Sequence, residues 1–134
     1  MIKGIKGKRV LITGASGGIG SCMVLLFADH QAKIGVHYHN GKKEAGDLVR
    51  QVEKNEGCGA SFQANLLQDT GDALIKSFVE RFGGIDILIN NAGAVFGSKE
   101  ILELDEISWE KTFRLNTQAP FFLAQSAFRF MKNN

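Results

Sequence analysis

The amino-acid sequence predicts an α/β fold in which a doubly wound parallel sheet is covered by helices on both faces. Four short apolar segments, at about 8–13, 33–38, 59–64 and 85–89, alternate with segments of helical spacing at about 18–31, 41–56 and 68–82. Each strand segment is apolar at nearly every position, which is typical of strands buried on both faces. This alternation of strands and helices indicates a parallel sheet.

The predicted helices have the apolar spacing that a helix needs to cover a sheet. Their apolar residues recur three and four positions apart, as in Ala45, Leu48, Val49 and Val52, and again in Leu74, Ile75, Phe78 and Val79. A final helix, at about 107–131, is too apolar for a solvent-exposed face. Its large apolar side chains are Trp109, Phe113, Leu115, Phe121, Phe122, Leu123, Phe128 and Phe130. We therefore expect this helix to be buried against another part of the protein.

A glycine-rich turn joins the first predicted strand to the first predicted helix. A pyrophosphate reaches the backbone N–H groups at a helix start only where side chains do not block its approach. Gly14, Gly18 and Gly20 supply that access, so the turn predicts a dinucleotide-binding loop. Ser16 either offers its hydroxyl to a phosphate or caps the helix, and Ile19 can pack beneath the phosphate.

A second motif, Asn90-Asn91-Ala92-Gly93, follows the fourth predicted strand. Together the two motifs resemble those of the short-chain dehydrogenase/reductase family, including its 3-oxoacyl-carrier-protein reductase-like members. The resemblance implies a Rossmann-type sheet with strand order 3-2-1-4, and hydride transfer between a nicotinamide cofactor and a carbonyl or alcohol. It also implies that Asn90 ties the central strands together, while Ala92 and Gly93 let the backbone approach the cofactor ribose.

The end of the second strand bears on the choice between NAD and NADP. A carboxylate at this place accepts hydrogen bonds from the ribose hydroxyls and repels a 2′-phosphate. The resemblance places Tyr38 there, and Lys42 and Lys43 follow closely, so NADP(H) is favoured over NAD(H). Gly17 stands where many NADP-preferring relatives carry a basic residue, which leaves NAD(H) as the alternative.

The end of the third strand departs from the family pattern. Asn65 stands where the family usually has an aspartate that contacts the adenine ring. An amide both donates and accepts, so Asn65 retains the capacity to bind adenine while Leu66 packs on the face of the ring. The alternative is that Asn65 is an ordinary turn residue at the end of a strand.

Asn116 matches the active-site asparagine of the family, where this residue holds a water of a proton relay. Pro120 follows four residues later and has no N–H for the Asn116 carbonyl, so the helix should kink and leave that carbonyl free to bind a water. The alternative is a kink that only relieves packing. The family's catalytic tyrosine, lysine and serine have no counterpart here, because Tyr38 is the only tyrosine and its spacing to Lys42 is coincidental.

We therefore expect residues 1–134 to form a single NAD(P)-binding domain that is incomplete at its carboxyl end and binds nucleotide without turnover. The resemblance covers only the first half of the family's usual length. An open fourth strand and an uncovered aromatic helix favour a homo-oligomer or association with a complementary second half. The alternatives are a non-catalytic partner-binding module and a piece of a longer enzyme. The substrate stays open.

Composition argues against several other classes of protein. The chain has 16 basic and 14 acidic residues without a long block of either sign, so we expect neither a nucleic-acid nor a membrane surface. Cys22 and Cys58 stand alone, and no apolar signal segment precedes the first strand, which predicts a cytoplasmic location. His37 and His39 alternate along a strand without a third ligand, so we assign no metal.

Overall fold

The computed structural model describes residues 3–131 and contains four parallel strands flanked by helices. The sequence prediction that the strands alternate with helices is confirmed. The strands are β1 (Arg9–Ile12), β2 (Lys33–Tyr38), β3 (Cys58–Gln63) and β4 (Ile87–Ile89). The helices are α1 (Gly18–Asp29), α2 (Lys42–Lys54), α3 (Asp72–Phe82), α4 (Glu106–Phe113) and α5 (Ala119–Met131), with a π-helical segment (Arg114–Gln118) between the last two.

The sheet order is β3-β2-β1-β4, which confirms the predicted order 3-2-1-4 and the Rossmann-like topology. Leu11 at the centre of β1 pairs with Gly35 of β2 on one side and with Leu88 of β4 on the other. In this parallel arrangement the carboxyl ends of all four strands reach the same edge. The loops that follow the strands are therefore neighbours in space.

Two apolar clusters fill the two faces of the sheet. Side chains alternate between the faces along each strand, so Val10 and Ile12 join one cluster and Leu11 joins the other. The first cluster packs the sheet on α1 and α2, and the second packs it on α3 and α5. Because both faces are covered, the central strands are apolar at nearly every position, as the sequence pattern predicted.

Strand β4 begins two residues later than predicted because a side chain replaces part of the ladder. Both Asp86 oxygens accept hydrogen bonds from Arg9, one at 2.8 Å from the guanidinium Nη2 and the other at 2.7 Å from Nε and 2.8 Å from the backbone N–H. The hydrogen bond from the Arg9 side chain is the main cause that lowers the Asp86 pKa to about 2. This ion pair fixes the start of β4 beside β1.

The predicted final helix is divided into three parts. Helix α4 has no buried residue, whereas α5 buries Ala119, Leu123 and Ala127 against the sheet. The expectation that the whole helix is buried is therefore correct for one face of α5 and wrong for α4. The π-helical segment is closed by an Ala119 N–H that donates to the Arg114 carbonyl, and it ends at Gln118, two residues before Pro120. The predicted disruption thus takes the form of a wider helical turn.

Several large apolar side chains on these helices face solvent. The exposed fraction is 53% for Trp109, 49% for Phe113, 61% for Phe121 and 64% for Phe128. Between residues 3 and 131, no helix combines the length and the apolar character that crossing a bilayer requires. Residues 132–134, at the carboxyl end of the predicted domain, lie outside the described part of the chain.

Candidate functional site

A crevice of about 650 Å³ lies at the carboxyl edge of the sheet. The loops after all four strands contribute to its wall. Its lining residues are Gly14, Ser16, Gly17, Ile19, Gly20, His37, His39, Asn40, Gly41, Ala64, Asn65, Leu66, Leu67, Asn91, Ala92, Gly93, Ala94, Phe96 and Leu115. A ligand site at this edge is the general expectation for a doubly wound sheet.

Close backbone contacts shape the glycine-rich loop. Gly14 has a φ of +59°, and a Cβ on it would lie 2.8 Å from the Ala92 Cα. A Cβ on Gly20 would lie 2.5 Å from the Gly14 carbonyl oxygen. These two glycines are therefore required by the loop itself, independently of any ligand. Gly18 differs from them, because a Cβ there would meet no atom within 4 Å and the residue does not line the crevice.

Helix α1 begins at this loop without a side-chain cap. Gly17 is the N-cap residue, and it has no side chain that could accept from the first turn of the helix. The first N–H groups of a helix have no intrahelical acceptor, so they stay available to an anion. Ser16 is not the cap, which removes the structural alternative for this residue. Its hydroxyl lies instead close to Gly41, the residue directly before α2.

Thr13 and Asn91 join the loop after β1 to the loop after β4. The Thr13 hydroxyl oxygen accepts from the N–H groups of Asn91 and Ala92, both at 3.0 Å. The Asn91 side-chain amide donates to the carbonyls of Thr13 and Gly14 at 3.0 and 3.1 Å. The resemblance assigned to Asn90 the role of tying the central strands together, and the structure shows that Asn91 has this role instead. The exposed Asn90 amide donates to the Pro120 carbonyl at 3.4 Å.

His37 connects the loops after β1, β2 and β3. Its Nδ1 accepts from the Gly14 N–H at 3.0 Å, and its Nε2 lies 3.1 Å from the Ala64 carbonyl oxygen. The ring is buried, and burial is the main cause that lowers the His37 pKa below its usual value. The sequence pattern argued against His37 as a metal ligand but did not predict this contact with the glycine-rich loop. Within residues 3–131, no cluster of three or more potential metal ligands is present.

Tyr38 does not line the crevice. It is 6% exposed and belongs to the apolar cluster between the sheet and helices α1 and α2. The structure therefore corrects the prediction that its side chain frames the cofactor. The reason is strand alternation, which turns Tyr38 to the opposite face from its neighbours His37 and His39. The Glu44 carboxylate lies 3.4 Å from where a Cβ of Gly41 would stand, just after β2.

Asn65 and Leu66 both line the crevice. The Asn65 side-chain oxygen accepts from the Leu67 N–H at 3.1 Å, which is the contact of a turn residue. The turn role of Asn65 is therefore present. Leu66 is 4% exposed and also packs in the core, so it forms a rigid part of the wall.

Asn116 fixes the segment that follows β4. Its side-chain nitrogen donates to the carbonyls of Ala94 and Thr112 at 2.6 and 2.8 Å. Its side-chain oxygen lies 2.7 Å from where a Cβ of Gly93 would stand, so this glycine makes room for the amide. The Phe96 N–H donates to the Thr112 hydroxyl at 3.1 Å, a second link between this segment and α4. Asn116 thus lies beside the crevice without lining it.

The structure brings most of the predicted site residues together. Eight of them line the crevice: Gly14, Ser16, Ile19, Gly20, Asn65, Leu66, Ala92 and Gly93. Thr13, His37 and Asn91 form the hydrogen bonds that hold its loops, a role that the sequence pattern predicted for none of them. A polar residue inside an otherwise apolar strand, as at His37, is the signal that could have identified one of them.

Comparison with known proteins gives consistent results. Residues 8–134 match the family model described as short chain dehydrogenase. Versicolorin reductase stcU of Emericella nidulans is 35% identical over 130 residues, covering 96% of this chain and 48% of that protein. An uncharacterized oxidoreductase of Thermotoga maritima is 37% identical over 128 residues, covering 95% of this chain and 49% of that protein. The chain thus spans about half the length of the curated relatives it matches.

Solved structures show the same fold. The NADH-dependent reductase A1-R′ in complex with NAD superimposes with a TM-score of 0.88 at 32% identity, covering 96% of this chain and 54% of that chain. A short chain dehydrogenase from Burkholderia cenocepacia in complex with NADP gives a TM-score of 0.90 at 29% identity, covering 95% and 52%. With the family model matched from the first strand onward, the chain belongs to the short-chain dehydrogenase family of oxidoreductases.

Proposed function

We propose that residues 1–134 form one NAD(P)-binding domain of an oxidoreductase that transfers hydride between the cofactor and a carbonyl or alcohol substrate. The observation that carries this proposal is the crevice in which the loops after all four strands meet an uncapped helix start. Related structures with bound NAD and with bound NADP support a dinucleotide ligand. The pyrophosphate would lie on the first turn of α1, where N–H groups and the positive end of the helix dipole favour an anion.

The residues proposed to contact or frame the cofactor are those that line the crevice or hold its loops. Gly14, Ser16, Ile19 and Gly20 would surround the pyrophosphate, and Gly18 remains a predicted contact at the first position of α1. On the opposite wall, the backbone of Ala92 and Gly93 would face the ribose and the nicotinamide. Asn65 and Leu66 would bind the adenine ring, the first by its amide nitrogen and the second by its apolar surface.

We propose NADP(H) as the preferred cofactor. Lys42 and Lys43 are exposed at the start of α2, and no carboxylate of the described residues lines the crevice. Glu44 opposes this preference, because its carboxylate lies near Gly41 and would repel a 2′-phosphate. Replacing Glu44 by Gln should therefore raise the affinity for NADPH relative to NADH by about threefold, the effect of removing one exposed like charge. The matched control is Glu53→Gln at the far end of the same helix, which should change neither affinity.

Titration of the purified protein with NADPH and NADH tests the proposal. Nicotinamide fluorescence reports binding, and circular dichroism confirms that the sample is folded. We expect saturable binding of both nucleotides, tighter for NADPH. A folded protein that binds neither would refute the dinucleotide site, and tighter binding of NADH would refute only the preference.

The reaction also needs a group that protonates the carbonyl as hydride arrives. Tyr38 is the only tyrosine of the sequence, and its burial in the core makes it unsuitable. We propose that groups beyond these 134 residues supply the proton and that Asn116 supports its transfer by holding a water. The free cysteines, Cys22 on the surface and Cys58 half-buried, fit a cytoplasmic location.

A second candidate function is partner binding through helices α4 and α5. Exposed aromatic side chains on these helices favour it, as does a surface groove of about 940 Å³ that includes Trp109 and Phe113. The proposed partner is a second copy of this chain or a complementary second half. Native mass spectrometry tests this candidate: a monomer at micromolar concentration that gains no mass when mixed with the second half of a relative would refute it.

A further inference from the structure

The ring of His37 has one hydrogen-bond partner at each nitrogen. The Gly14 N–H can only donate, so the Nδ1 that faces it at 3.0 Å carries no proton. The Ala64 carbonyl can only accept, so the Nε2 that faces it at 3.1 Å carries the proton. The two partners therefore select one neutral tautomer. A protonated ring would direct an N–H at the Gly14 N–H and lose that hydrogen bond.

His37 also binds the next residue of the glycine-rich loop. Its backbone carbonyl accepts from the Ala15 N–H at 2.8 Å. The Gly14 and Ala15 amides are thus both occupied by His37, and the amides further along the loop, at the start of α1, are left for a ligand. The loop needs this support, because Gly14 holds a φ of +59° and lies against Ala92.

We propose that His37 is a positioning residue for the dinucleotide: its neutral ring holds the glycine-rich loop in the conformation that receives the pyrophosphate, and protonation of the ring releases the loop. The inference rests on the proposed cofactor site. It adds to that proposal a residue that contacts the loop rather than the cofactor phosphate, and a dependence of cofactor affinity on pH.

Within residues 3–131, the titratable group whose charge acts on the ring is His39, two residues along the same strand, and this charge opposes protonation of His37. Beyond Ala64, the Asp69 carboxylate accepts from the Asn65 N–H at 3.3 Å and is exposed. Burial lowers the His37 pKa below the ordinary value of 6.5, so the neutral ring persists through neutral pH and the change occurs on the acid side.

The affinity for NAD⁺ and NADP⁺ between pH 4.5 and pH 7.5, measured by calorimetry, tests the proposal. The wild type should lose affinity for both nucleotides as the pH falls and the ring becomes charged, and the loss should approach about tenfold, the effect of one hydrogen bond to the loop, once the ring is mostly protonated. His37→Asn keeps an acceptor at the position of Nδ1 and does not titrate, so it should bind as the wild type does at pH 7.5 and show no acid loss. His37→Leu should bind weakly at both pH values.

Two controls distinguish the titration of His37 from that of His39 and of the cofactor itself. His39→Asn should keep the pH dependence of the wild type, and a dependence that disappears in this variant would overturn the proposal. An effect of the 2′-phosphate would appear with NADP⁺ alone, which would also overturn it. Failure of the wild type to bind either nucleotide at pH 7.5 would instead refute the proposed cofactor site.

A measurement on the free protein is independent of both binding and folding of the variants. Nitrogen-15 chemical shifts of the labelled imidazole report which ring nitrogen is protonated. At pH 7.5 we expect the tautomer with the proton on Nε2. A proton on Nδ1 or a charged ring would overturn the role of His37 even if the wild type binds both nucleotides.

Discussion

Replacement of Asn91 should destabilise the fold far more than replacement of its neighbour Asn90. The Asn91 amide donates to the carbonyls of Thr13 and Gly14, whereas the Asn90 amide makes one long contact at 3.4 Å on the surface. Each net hydrogen bond contributes about 1 kcal/mol, so Asn91→Ala should lower the free energy of unfolding by about 2 kcal/mol. The change in Asn90→Ala should stay within about 0.5 kcal/mol.

A second variant of Asn91 tests whether its side chain must donate these hydrogen bonds. Asn91→Asp has nearly the same shape, but it directs a carboxylate oxygen at the carbonyls of Thr13 and Gly14 in place of the N–H donors. The loss at pH 7 should therefore exceed that of Asn91→Ala and reach about 3 kcal/mol, since repulsion is added to the missing hydrogen bonds. At pH 3 the protonated side chain can donate to one carbonyl, so part of the loss should be recovered.

Urea unfolding followed by circular dichroism at 222 nm measures these differences, and thermal unfolding provides a second measurement. For a domain of this size, 2 kcal/mol corresponds to a fall in Tm of roughly 8 °C. The reasoning would be refuted if Asn90→Ala cost as much as Asn91→Ala. It would also be refuted if Asn91→Asp were as stable as the alanine variant at pH 7.

Two further predictions concern the loop and the edge of the sheet. Gly20→Ala places a Cβ 2.5 Å from a backbone carbonyl oxygen and should lower the free energy of unfolding by about 2 kcal/mol. The Cβ of Gly18→Ala meets no atom within 4 Å, so this variant should leave the free energy of unfolding unchanged or raise it by about 0.5 kcal/mol. Urea unfolding of both variants measures the two changes, and equal losses would contradict the prediction. The folded Asp86 pKa of about 2 lies below its ordinary value of 3.8, so its carboxylate stabilises the protein above pH 4 and this contribution is lost as the pH falls towards 2. The stability difference between the wild type and Asp86→Asn should therefore shrink over this interval, and a difference that is the same at pH 5 and pH 2 would contradict the assignment.

Most of the fold could be predicted because its signals are local. The apolar strand runs and the helical spacing lie within short stretches of sequence, and the strand order followed from the two motifs that resemble the family. The limits of β4 and α3 could not be predicted in the same way. The Asp86 side chain replaces part of the β4 ladder, and Gly71, with a φ of +79°, starts α3 at Asp72 rather than near residue 68.

The candidate site was predicted less completely because its hydrogen bonds join distant residues. Thr13 and Asn91 are 78 positions apart, and no local pattern distinguishes Asn91 from Asn90. The direction of the side chain decides between them, and that direction depends on how β4 lies against β1. His37 and Tyr38 illustrate the same point, because adjacent strand residues face opposite sides and only one of them reaches the crevice.

The π-helical segment changes the rotational phase between the two helices that it joins. One extra residue per turn corresponds to a rotation of about 100° around the helix axis. Helix α5 can therefore direct its small side chains at the sheet, while α4 and Asn116 are aligned with the backbone that follows β4. Deleting one residue between 114 and 118 would restore a regular helix but would put either Asn116 or the apolar face of α5 out of alignment. Because of the wide turn, one continuous helical stretch contacts both the sheet and the backbone that follows β4, which a straight helix could not contact at the same time.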